Sequence, residues 1–222
     1  HYKVLIMPLI ICLSEKEAAA IEKFVKAGGI LVTDGALGSM DAQCKRRKEA
    51  ILADLCGVTF EDFRVCERDG GYFRWNNNVL KKTDPGKEKE LANKLLKDVD
   101  PSLLFVSSPG LRTHGGQALA MAGQTPALVI NRTGKGMTIC ANVYFADYSK
   151  KRGDKELSDP LRHLFRNILE TAGLKPKFNV FKRTGKKAVA KGEQIPNLEQ
   201  YFWKLGDAKF AAFNIQGTIR QD

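Results

Sequence analysis

The sequence predicts an α/β fold: a three-layer sandwich with a mostly parallel central sheet, followed by a short β-rich segment. Three observations predict it. Val4-Leu5-Ile6-Met7 and Ile30-Leu31-Val32 are continuous apolar runs, the pattern of strands buried on both faces. Between them Ala18, Ile21, Phe24 and Val25 recur at helical spacing. Beyond Pro176 the helical period gives way to short apolar segments with no further helix.

Each element has a local cause. Pro8 ends the first strand. Ser14-Glu15-Lys16-Glu17 is a capping box, in which the Ser14 hydroxyl and the Glu17 carboxylate satisfy each other's backbone amides. It starts a helix over 14–27 that Gly28-Gly29 stops, because glycine accepts the left-handed conformation. A strand, helix and strand this close together predict a parallel pair in a right-handed crossover. Glu49 to Leu55 reads as a short helix closed at Gly57. Phe63 to Cys66 and Tyr72 to Trp75 read as strands paired around Arg68-Asp69-Gly70-Gly71. Asp84-Pro85 suits a helix start, with Leu91, Leu95, Leu96 and Val99 on one face. Residues 107–123 show weak periodicity and read mostly as loop.

Ala127 to Ile130 and Met137 to Cys140 read as two strands of a hairpin around residues 131–136. Asp159-Pro160 predicts the start of a helix over 160–172, with Leu161, Leu164, Phe165, Ile168 and Leu169 on its buried face. Gly173 and Pro176 end it. Phe178 to Phe181, Leu198 to Leu205 and Lys209 to Ile215 read as short β segments, the last two joined at Gly206-Asp207. The pattern divides the chain into residues 1–176, an α/β domain, and 177–222, the start of a β-rich domain. There is no internal repeat.

Composition narrows the function classes. Of 222 residues, 43% are hydrophobic, so a packed core rather than disorder is expected. No apolar run approaches the ~20 residues of a membrane span, and no membrane partner is expected. The formal net charge is +11. Its runs, such as Lys45-Arg46-Arg47-Lys48 and Lys150-Lys151-Arg152, are scattered and lack interleaved aromatics. Solvated loop charge is the simpler account, and a nucleic-acid partner is disfavoured. Five cysteines, an odd number without a CxxC pair, support neither a disulfide framework nor a zinc site. A reducing, cytoplasmic compartment is the expectation, although a signal peptide upstream of His1 would be compatible with the sequence. No cofactor and no metal is expected.

The residues also resemble a known family. Tyr2 to Pro8, Leu13-Ser14-Glu15 through Gly28-Gly29, and Leu31-Val32-Thr33-Asp34-Gly35 come first. Thr125-Pro126-Ala127-Leu128-Val129, Gly134-Lys135-Gly136 and Cys140-Ala141-Asn142 leading to Asp147-Tyr148 follow in order. Together these resemble the class I glutamine-amidotransferase-like domain of glycoside hydrolase family 42 β-galactosidases, the trimerisation domain. Gly173-Leu174-Lys175-Pro176 resembles its exit, and Leu205 to Phe210 the opening hairpin of the next sandwich. The match is good at both ends and poor between Cys56 and Met121. The resemblance implies a flavodoxin-like sheet and self-association into trimers. It also implies that a strand, a helix and a catalytic barrel of the family precede the Tyr2 strand, and that the barrel binds the carbohydrate substrate.

An amidotransferase needs a cysteine on a glycine-flanked strand-to-helix turn, with a histidine base oriented by a carboxylate. None of the five cysteines has that setting, and no catalytic residue is assigned. A retaining glycosidase needs two carboxylates about 5 Å apart, and nothing pairs any two here. The candidate ligand or interface loops are Asp34-Gly35, His114, Asn142 and Asp147-Tyr148. Asp34, Asn142, Asp147 and Tyr148 are predicted at the carboxyl rim of a parallel sheet, where α/β proteins tend to bind ligands. The plainer reading is a turn after a strand and loops capped by asparagine and aspartate. His114, before Gly115-Gly116, is the histidine best placed in a loop.

The leading expectation is a non-catalytic assembly domain of a β-galactosidase-like glycoside hydrolase. The alternatives are a free-standing hydrolase or amidotransferase-like enzyme with an unrecognised nucleophile, and a polyanion-binding module.

Overall fold

The computed structural model describes residues 2–61, 80–82, 86–100, 104, 106–145, 148, 154–174, 198–205 and 207–215. The strand pair expected over 63–75 lies outside them. In chain order the elements are β1 (Val4–Met7), α1 (Glu15–Lys26), β2 (Ile30–Thr33), α2 (Ala53–Cys56), β3 (Val58–Phe60), β4 (Leu80–Lys82) and α3 (Lys89–Leu95). Then come β5 (Leu111–Thr113), β6 (Gln117–Ala122), β7 (Thr125–Thr133), β8 (Gly136–Ala141), α4 (Lys155–Thr171), β9 (Leu198–Leu205) and β10 (Ala208–Ile215).

The main sheet runs β1-β2-β8-β7-β6-β4. β1, β2 and β8 are parallel, whereas β8, β7, β6 and β4 pair antiparallel. The sheet is therefore mixed, which corrects the mostly parallel expectation. The cause is local. β7 and β8 meet at the Thr133–Gly136 pair, and a two-residue turn can join only antiparallel strands. β3 and β5 form a separate antiparallel pair, as do β9 and β10.

Successive residues of a strand point to opposite faces, and β2 shows where they go. Ile30 and Val32 pack with Leu95, Leu161, Leu164 and Ile168, so α3 and α4 cover one face. Leu31 packs with Val25, Ile21, Ala53 and Val58, so α1, α2 and β3 cover the other. Val129 and Cys140 join that second cluster, while their neighbours Ile130 and Ile139 join the first. Each fully buried aliphatic side chain contributes about 1.5–3 kcal/mol relative to exposure. β1 is an edge strand rather than one buried on both faces, and Ile6 stays 38% exposed.

Both main helices end as the glycines direct. The Ser14–Glu17 box is formed, with the Ser14 amide donating to the Glu17 carboxylate at 2.9 Å. At the other end of α1 the Gly28 amide donates to the Val25 carbonyl and the Gly29 amide to Phe24, a Schellman closure with Gly28 at φ +112°. The turn Gly134-Lys135-Gly136 then docks on that helix end. The Lys135 amide donates to the Lys26 carbonyl at 3.0 Å, and a Cβ on Gly136 would strike the Val25 and Gly29 carbonyls. Gly173 and Leu174 close α4 in the same Schellman pattern.

Three expectations shift. Helix α4 begins at Lys155, with Pro160 inside it rather than at its start. The proline forgoes a single backbone bond near the helix start, and the Ser158 amide still donates to the Asp154 carbonyl. Helix α2 is one turn, capped by Gly57 at φ +67°, rather than the longer helix from Glu49. Residues 107–123 carry β5 and β6 rather than mostly loop. β6 is Gln-Ala-Leu-Ala-Met-Ala with register shifts between Ala118 and Met121, so it lacks both β-branched residues and a clean alternation.

Candidate functional site

The parallel strands β2 and β8 lie side by side and end in polar residues. Asp34 follows β2 and Asn142 follows β8. Both are buried, and both are occupied by backbone.

Asn142 holds the loop before β5. Its Oδ1 accepts from the Ser108 amide at 2.8 Å and the Ser107 hydroxyl at 2.9 Å. Its Nδ2 donates to the Ser108 carbonyl at 2.8 Å and the Pro126 carbonyl at 3.0 Å. Two acceptor and two donor bonds use the full capacity of the amide. Gly35 is wedged against this knot. A Cβ there would lie 2.9 Å from Ser107 Oγ, 3.0 Å from Ser108 Oγ and 3.4 Å from Asn142 Oδ1, so a larger residue would have to displace these hydrogen-bonding side chains.

Asp34 holds the exit of β1. Its Oδ2 accepts from the Leu9 amide at 2.7 Å and its Oδ1 from the Ala36 amide at 3.4 Å. Leu9 sits at φ +49°, a conformation side chains disfavour, and the carboxylate helps hold it there. Burial pushes the Asp34 carboxyl up, against the opposing pull of the Leu9 and Ala36 amides.

The other candidates divide. Tyr148 is half-buried against the α4 side of the core. Its hydroxyl accepts from Arg162 Nε at 3.1 Å, and the same guanidinium lies 6.0 Å from the ring centroid. Asp147 lies outside the described residues. His114 is not brought to this rim. Its amide donates to the Gly57 carbonyl, and Gly57 packs on Asn131, which pairs with Thr138, four residues before Asn142. At ~3.3 Å per strand residue, the four residues from Thr138 to Asn142 span roughly 13 Å. The structure thus joins Asp34, Gly35 and Asn142 and leaves His114 apart.

Sequence reasoning missed Ser107 and Ser108, which lie in the stretch read as loop and carry no motif. It also missed Asn167, whose side chain closes α3 by donating to the Leu95 and Lys97 carbonyls. An asparagine among the apolar positions of α4 was the available signal. His163 Nδ1 meets the Asp98 carbonyl, a structural contact. The remaining thiols also differ by place. Cys56 and Cys140 are buried, and burial pushes the Cys56 thiol up to about 12. Such thiols are inert at neutral pH. Among the described residues no group of three or more His, Cys, Asp or Glu side chains could hold a metal ion. No helix among them is long and apolar enough to cross a membrane.

The chain resembles solved β-galactosidases. The cold-adapted enzyme from Rahnella sp. R3 superposes with a TM-score of 0.64 at 16% identity, covering 96% of this chain and 27% of that one. Gan42B, a GH42 β-galactosidase from G. stearothermophilus, gives 0.58 at 16% identity, covering 95% and 25%. The β-galactosidase from Bacillus circulans sp. alkalophilus gives 0.57 at 19% identity, covering 92% and 26%. This chain therefore spans about a quarter of the length of these enzymes. A search of curated proteins gave no match. The family model of the β-galactosidase trimerisation domain matches residues 1–175. With that match over most of its length, the chain belongs to the β-galactosidase trimerisation domain family.

Proposed function

We propose that this chain is the assembly module of a glycoside hydrolase, and that its gene product associates as a trimer through a surface to which residues 1–176 contribute. The family match over residues 1–175 carries the reading. The geometry supports it, because Asp34 and Asn142, at the rim where an α/β ligand would bind, are committed to holding loops. The parallel β1-β2-β8 unit with α1 on one face is the part that fits a flavodoxin-like, amidotransferase-like ancestry. In this reading β9 and β10 open a second, β-rich domain over 177–222. The galactoside is bound and cleaved in a separate catalytic domain of the gene product, and the module works in the cytoplasm without a cofactor. Asp147 and Tyr148, and the loop carrying His114, are candidate interface residues.

Sedimentation equilibrium on the full-length gene product tests the stoichiometry. A single species of three chains is expected, and a monomer or a closed dimer overturns the proposal. The alternative of an enzyme within this chain predicts turnover of an aryl β-galactoside or of glutamine by the 222 residues alone. Turnover abolished by Asp34→Asn or Cys12→Ser would favour it.

A further inference from the structure

Two exposed cysteines far apart in sequence meet in space. Cys12, between β1 and α1, and Cys44, after β2, place their sulfurs 3.4 Å apart, and both are free thiols. The backbone arranges this without help from the thiols. The Gly38 amide donates to the Ile10 carbonyl at 2.8 Å, Met40 to Ile11 at 2.8 Å, and Leu13 to Met40 at 3.0 Å. These bonds zip the 10–13 segment onto the 38–40 segment. The Asp41 carboxylate then accepts from the Gln43 and Lys45 amides at 2.9 and 2.8 Å, which fixes the turn that carries Cys44. Cys44 itself sits at φ +60°, where a side chain costs about 1 kcal/mol or more, so the turn is held by its surroundings.

We propose that Cys12 and Cys44 are a reversible redox site that forms a disulfide by exchange with a low-molecular-weight disulfide such as oxidised glutathione. The chemistry balances. One cysteine thiolate attacks the small disulfide, giving a mixed disulfide and releasing one small thiolate. The second cysteine, as thiolate, attacks the protein-bound sulfur and displaces the other. The two protein thiols are oxidised, the small disulfide is reduced to two thiols, and the two cysteine protons pass to them. Closing the sulfurs from 3.4 Å to a bond of about 2.05 Å needs roughly 1.4 Å of combined movement, within reach of small side-chain rotations. Lys45, next to Cys44 in the sequence, adds positive charge that favours approach of an anionic disulfide, whereas Arg47 is paired with Glu15. The thiol–thiol hydrogen bond pushes the Cys12 thiol up. Cys56 and Cys140, buried, serve as internal controls.

The bond would tie the exit of β1 to the loop after β2 across 32 residues of chain. The test incubates the full 222-residue chain, carrying Cys66→Ser to remove the one cysteine outside the described residues, with oxidised glutathione. Peptide mapping by mass spectrometry under non-reducing conditions follows. The expected product is a Cys12–Cys44 linked peptide, two hydrogens lighter than its parts and reversed by dithiothreitol. Closing a loop of this length is expected to raise Tm by about 5 °C or more, and the rise should vanish in Cys12→Ser and, independently, in Cys44→Ser. Glutathione retained on either cysteine without the link, a link between two chains instead of within one, or no reaction at these positions overturns the proposal.

Discussion

Asp34 and Asn142 sit at the ends of neighbouring parallel strands, both buried, yet they do their work on different terms. Asn142 is neutral and makes four hydrogen bonds of 2.8 to 3.0 Å. Asp34 holds two backbone amides, one of them at 3.4 Å, and burial works against its charge. A neutral amide with all its bonds made is cheap to bury, whereas a carboxylate with two amides is a compromise. At these two positions the rim of the sheet, the usual ligand position of α/β folds, is taken up by the chain's own loops.

The largest expected effect comes from Asn142→Ala. It strands the Ser108 amide and the Ser108 and Pro126 carbonyls in the interior, so about 3 kcal/mol should be lost. Urea denaturation reads this as a fall in midpoint with little change in slope. A loss below about 1 kcal/mol would mean the amide is not the keystone of that loop. Asp34→Ala should cost less, about 1–3 kcal/mol, because two amides lose their acceptor and Leu9 loses the bond that holds its left-handed backbone.

Asp34→Asn separates charge from hydrogen bonding. It keeps one acceptor, so at neutral pH its stability should lie within about 1 kcal/mol of the parent. The two should diverge with pH in a defined sense. A carboxyl raised in the folded state carries no penalty below its unfolded value of about 3.9. Stability is then lost as pH rises through that value to the raised folded one, and the loss is constant above it. Denaturation of both proteins from pH 3 to 7 should therefore show the parent losing ground to Asp34→Asn as pH increases. Parallel curves would show that the carboxyl is not perturbed. The smallest effect is expected from Ser107→Ala, which removes one hydroxyl donor to Asn142 and should cost about 0.5–1 kcal/mol in the same urea measurement.

What could be read in advance follows the same physical lines. The Ser14 cap, the Gly28-Gly29 stop and the apolar runs of β1 and β2 are short-range signals, and those elements lie where the sequence puts them. The mixed sheet was half visible. The β7–β8 hairpin is legible in its turn residues, and it is that hairpin that reverses strand direction beyond β8. β6 was illegible because its small residues and broken register erase a period of two. At the rim, Asp34 and Asn142 could be named from their positions after strands. Their partners could not, since Ser107 and Ser108 are 34 or 35 residues from Asn142 and belong to a stretch without pattern. The glycines after His114 have separate causes: Gly115 takes φ +83° with open space around it, and Gly116 approaches Gly57 so closely that a Cβ would lie 2.6 Å from the Gly57 carbonyl oxygen.

Asp34 and Asn142 are committed to holding loops, and association is the function we propose for this domain. Sedimentation equilibrium on the full-length gene product, with and without residues 1–176, measures that association. The expected result is a trimer that falls to smaller, still folded species when the segment is removed. A soluble deletion product that keeps the trimeric mass ratio would contradict it.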